Sequence, residues 1–106
     1  MKTKNVEFNL FGTTYNIKYV PKIVVDENTE EEREVYGLTT FSKKEILIAK
    51  TINNIPISQE EIRLTLFHEI VHCIFHAGQY LACTNDEPLV EWTSRCLNQL
   101  IKDKIL

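Results

Sequence analysis

Between Ser58 and Gly78 the chain carries one long uninterrupted helical pattern, and that helix decides much of what the rest can be. Ser58-Gln59-Glu60-Glu61 fits a capping box, Pro56 stands just before it, and Gly78 is a stop after the last turn. A helix of about five turns is therefore expected from Gln59 to Ala77. Its middle reads His68-Glu69-Ile70-Val71-His72. Residues four apart on a helix share a face, so the imidazoles of His68 and His72 can converge on one ion. Glu69 sits beside them and can reach a water held in an open coordination position. Two neutral imidazoles, a carboxylate as proton acceptor and a metal that brings the pKa of water to about 7 are the parts of zinc-assisted hydrolysis.

The helical wheel separates two arcs. Ile62, Leu66, Phe67, Ile70, Val71, Ile74 and Phe75 gather on a broad apolar side, opposite Thr65, His68, Glu69, His72 and His76. All three histidines of the chain fall on that polar stripe, which is expected to be a cleft wall.

Two histidines need a third protein ligand, with water in the fourth position. His76 lies about 12 Å along the axis from His68, too far for both to hold one ion. It also misses the metzincin spacing, because Phe75 stands where the glycine belongs and Ala82 where the last histidine belongs. Cys83 offers a thiolate, and Cys73 and Cys96 less so; all three cysteines are expected to be buried and inert. Asn85-Asp86-Glu87-Pro88 reads as the entry to a second helix. From there Leu89, Val90, Trp92, Cys96, Leu97, Leu100 and Ile101 form an apolar arc. Glu91 projects from the other side with Ser94, Arg95, Asn98 and Lys102. The expected third ligand is Glu91, as in gluzincin-like sites, with Glu87 the alternative and helix capping the other role open to Glu87.

Upstream, Val6, Phe8 and Leu10 alternate with polar residues, Gly12-Thr13 can turn, and Tyr15, Ile17 and Tyr19 alternate again, which predicts a hairpin ended by Pro21. Val35 to Phe41 and Ile46 to Ala49 predict two further strands joined near Ser42-Lys43-Lys44. The expected fold is thus α+β: about four strands followed by two main helices on one face of the sheet. At 106 residues and 43% apolar composition the chain makes a single domain, residues 1–106. Its net charge of −3 is concentrated between Asp26 and Glu34, expected to be a solvated loop, and no basic stripe points to nucleic acid. The first residues carry no apolar run of the kind a signal peptide or membrane span needs, and no Cys-x-x-Cys pair occurs, so the cytoplasm is the expected compartment.

With strands, motif helix and downstream Glu placed, the chain resembles the compact zincins of the ImmA/IrrE type, most closely the short phage-encoded metallopeptidase-like proteins related to them. The resemblance runs from Phe8 to Tyr19, through Gly37 to Lys50 with Glu45-Ile46-Leu47-Ile48, Thr65 to His72, and Glu87-Pro88-Leu89-Val90-Glu91. It implies a Zn2+ site at His68, His72 and Glu91, with Glu69 as the base. The fuller pattern follows its ligand Glu with Ala-Asn and then Phe-Ala, where this chain has Trp92-Thr93-Ser94-Arg95. The expected activity is peptide-bond hydrolysis on a protein or peptide substrate, with the strand near Ile46 aligning it and Tyr36, His76, Tyr80 or Arg95 assisting the oxyanion. The alternative is a non-catalytic zinc-binding interaction protein on the same scaffold.

Overall fold

A computed structural model of the chain describes residues 6–26 and 32–106. Strands β1 (Val6–Leu10) and β2 (Thr13–Val20) form the expected hairpin, paired antiparallel with Phe8 opposite Tyr15. Its loop is Phe11-Gly12, both at positive φ (50° and 93°), which is what a two-residue type I′ connection requires. Asn9 Oδ1 accepts from Gly12 N at 2.9 Å and ties the loop down.

The acidic stretch is partly a ribbon and not only loop: β3 (Val24–Asp26) pairs antiparallel with β4 (Glu32–Glu34), while residues 27–31 lie outside the described residues. Next come β5 (Gly37–Thr40), a 3-10 turn at Phe41–Lys43 and β6 (Glu45–Ala49). Lys44 at φ 51° closes that turn at the expected junction. A short hairpin, β7 (Thr51–Ile52) with β8 (Ile55–Pro56), leads to α1 (Gln59–Ala77), α2 (Leu81–Thr84) and α3 (Glu87–Lys102).

The main sheet has four strands in the order β1-β2-β6-β5, mixed because β2 and β6 run parallel. Period-two alternation sends Tyr15, Ile17, Ile46 and Ile48 to one face, all at most 3% exposed, where Ile62, Leu66, Ile70 and Cys73 of α1 pack on them. Burial of this apolar set is the main term holding α1 to the sheet. Ser58 caps α1 as expected, its Oγ accepting from Glu61 N at 3.1 Å. Gly78 ends it, its N–H returning to Ile74 O.

β5 is the outer strand on the helix side of this arrangement, and cross-strand register fixes which of its residues face α1. Gly37 pairs with Ile48 and Thr39 with Ile46, so both share the inward face with those isoleucines. A Cβ at Gly37 would stand 2.7 Å from Thr65 Cγ2 and 3.1 Å from Glu69 Cγ. Thr65 is β-branched and stiff on its helix, so the strand must yield. Gly37→Ala is expected to cost about 1–3 kcal/mol in urea unfolding, the usual effect of overpacking. A midpoint identical to wild type would refute this close approach.

Helix α3 departs from the expected wheel. Its buried residues are Val90, Ser94 and Asn98, whereas Trp92 is 68% exposed. The polar side assigned to solvent packs on α1, where Asn98 Nδ2 and Lys102 Nζ reach Glu60 Oε1 at 3.5 and 3.3 Å. The α1 arc is likewise split between two neighbours. Val71 is buried like Val90 but apart from the sheet-side cluster, and Ile74 is 43% exposed.

Candidate metal centre

Helix α1 presents His68 and His72 one turn apart, their ring centroids separated by 5.0 Å and their planes inclined at 66°. Opposite them stands the first turn of α3. Asp86 is its N-cap, Oδ1 accepting from Leu89 N at 3.2 Å, with Pro88 in the first turn. Because Asp86 takes the cap, Glu87 is released from that duty and turns toward the histidines.

The Glu87 carboxylate spans the pair. Its Oε2 lies 2.9 Å from His68 Nε2 and its Oε1 3.1 Å from His72 Nε2. One ligand atom from each of the three residues falls within 4.8 Å of the others. Glu91, the expected ligand, sits elsewhere on the same imidazole: its Oε2 is 3.2 Å from His68 Nδ1, and its Oε1 is 3.1 Å from Arg95 Nε. The two acids follow each other at one-turn spacing, so the farther one reaches the outer nitrogen and the nearer one the inner nitrogens.

His68 stands between two carboxylates, Glu91 at Nδ1 and Glu87 at Nε2, and each accepts where the facing nitrogen carries a proton. Thr84 Oγ1 lies 2.9 Å from His72 Nδ1 and donates to His72 O at 3.3 Å. Its single hydrogen is thereby committed, and Nδ1 of His72 must donate to it. Both Nε2 atoms face the Glu87 oxygens, an arrangement that positive charge at the meeting point stabilises, whether as protons on the imidazoles or as a divalent cation that all three groups could hold.

Glu69 is 8% exposed, and Thr39 donates to its Oε1 at 2.6 Å from the neighbouring strand. Two cavities of about 280 and 360 Å³ are both lined by Gly37, His68 and Glu69. Open space therefore runs along β5 on both sides of Glu69. Tyr36 and Arg95 line the first cavity, and Leu38, Phe41, His72 and Glu87 the second. Of the other residues considered for the oxyanion, His76 stacks on Phe41 at 3.9 Å and Tyr80 is 64% exposed and lines neither cavity.

The cysteines are free. Cys73 is fully buried, and burial, reinforced by the charge of Glu69, pushes its thiol up to about 12. Cys83 and Cys96 are only partly buried, against expectation, and none of the three belongs to the His68, His72 and Glu87 group.

Among known protein families, curated proteins and solved structures, none matches this chain.

Thr39, Thr84 and Gly37 were missed by sequence reasoning. Threonines in a strand and beside a turn carry no motif, and only register and the short helix α2 bring them to the site. No helix among the described residues is long and apolar enough to cross a membrane.

Proposed function

We propose that the chain is a zinc-dependent peptidase whose ion is held by His68, His72 and Glu87. The observation that supports this most is the Glu87 carboxylate, one oxygen on each inward-facing Nε2 at 2.9 and 3.1 Å. Glu91 is then the carboxylate that orients His68, and Thr84 the hydroxyl that orients His72, roles that outer partners of metal-bound histidines regularly take.

Bound zinc supplies Lewis acidity, lowering the pKa of a water and polarising a carbonyl. The remaining chemistry belongs to the chain. Glu69, held at Oε1 by Thr39, takes a proton at Oε2 from the attacking water and passes it to the leaving amine. Tyr36 lines the same cavity as His68 and Glu69, which supports it as the donor to the developing oxyanion. Arg95 is engaged by Glu91, which favours Tyr36 for that role. The extended substrate aligns on β5. The strand near Ile46 does not serve, because β6 is enclosed between β2 and β5, while β5 is the sheet edge that borders both cavities.

The test is occupancy followed by openness. Elemental analysis of untagged protein is expected to find about one zinc per chain, as one three-ligand site requires. A chelating hydroxamate is then expected to bind the zinc-loaded chain and not the metal-free one. Zinc without hydroxamate binding would mean a closed site and favour the non-catalytic scaffold. No zinc after loading would end the metal reading altogether.

A further inference from the structure

The apolar side of α1 does not close fully on the sheet at its N-terminal end. Ile62 and Leu66 pack against the core cluster and yet are only partly buried. Between them and the ends of β2 and β6 runs a groove of about 620 Å³, larger than either cavity of the cleft and sharing no lining residue with them. Tyr19, Ile57, Ile62 and Leu66 supply apolar wall, and Lys50 and Arg63 border it as cations. From this combination we infer that the groove binds a small amphipathic carboxylate, its hydrocarbon part on Ile57, Ile62 and Leu66 and its carboxylate between Lys50 and Arg63.

Charge selects the anion. Acids outnumber Lys and Arg in the chain, 15 to 12, yet the described residues that line the groove include two cations and no acid. Lys50 is exposed and pairs with no described acid. Arg63 has only Glu60, at 3.7 Å, and the other oxygen of that carboxylate receives Lys102 and Asn98. Long basic side chains lay their stems along apolar surface and keep the charge at its edge, so both heads border an apolar floor, the division that an amphipathic acid matches. The backbone selects a small molecule over a peptide strand. β2 is enclosed between β1 and β6, Lys50 N donates to Val20 O at 2.8 Å, and Lys50 O accepts from Ile57 N at 2.9 Å. An extended peptide finds no open ladder to join there, and recognition falls to side chains. The groove also has the volume of small-ligand pockets, roughly 300–1,000 Å³. The inference stands whether or not the cleft hydrolyses peptides.

Titration of the full chain with decanoate below its micellar concentration, followed by backbone amide chemical shifts, tests it. Saturable shifts are expected at Lys50, Ile57, Ile62, Arg63 and Leu66. Lys50→Gln and Arg63→Gln are each expected to weaken binding about 10–100-fold, as the loss of one charge-assisted contact does. Decanol, which has the hydrocarbon chain without the charge, is expected to bind more weakly by at least as much. Both replaced side chains reach solvent, so far-UV circular dichroism should be unchanged in the variants. Decanoate that shifts only residues of the metal cleft, such as His68 and His72, overturns the inference. So do decanol binding as tight as that of decanoate, an affinity unchanged in both variants, and the absence of any saturable shift into the millimolar range.

Discussion

Glu87→Ala is expected to cost about a thousandfold or more in zinc affinity, because one of three protein ligands carries roughly a third of a binding free energy on the order of 10–16 kcal/mol. Glu91→Ala is expected to cost only about 10–100-fold, the usual effect of losing an orienting partner. The difference follows from which nitrogen each acid meets: Glu87 faces both Nε2 atoms, Glu91 only the outer Nδ1 of His68. Competition with a fluorescent chelator measures both variants. Neither substitution removes core packing, and Asp86 keeps the helix cap in each, so melting in chelator should stay close to wild type. A larger loss in Glu91→Ala than in Glu87→Ala would return the ligand role to Glu91.

The choice between these acids shows where sequence reasoning stops. The motif helix was legible to its ends, because Ser58 and Gly78 are local signals and periodicity over nineteen residues is strong. The hairpin and the strand pair at residues 37–49 were legible for the same reason. Glu87 and Glu91 share one helical face, however, so a wheel cannot rank them. What distinguishes them in the folded chain is that Asp86 takes the cap and Glu87 is left to face both histidines, a contest between adjacent acids that no local rule decides. The expected solvent face of α3 failed for a related reason. That side packs on α1, where Asn98 and Lys102 reach Glu60, so Ser94 and Asn98 are buried where a wheel counts them as exposed. Parallel pairing of β2 with β6 was equally out of reach: alternation reports which residues share a face, and both parallel and antiparallel neighbours satisfy it.

Glu69→Gln separates holding the metal from using it. The amide has the shape of the acid, and its oxygen can still accept from Thr39, so the side chain should keep its place between Gly37 and the α1 backbone. It cannot accept a proton from water. Zinc content should therefore match wild type, while hydrolysis of a peptide library at saturating zinc falls about 10²–10⁴-fold, the range for removing a general base. Thr39→Val is expected to give a smaller loss, because the carboxylate remains and only its orientation is freed. The pair of variants distinguishes a base from a bystander: orientation matters to catalysis only if the carboxylate itself does. Turnover retained in Glu69→Gln would remove Glu69 from the chemistry, and the half-buried Thr39–Glu69 contact would then be a tie between β5 and α1.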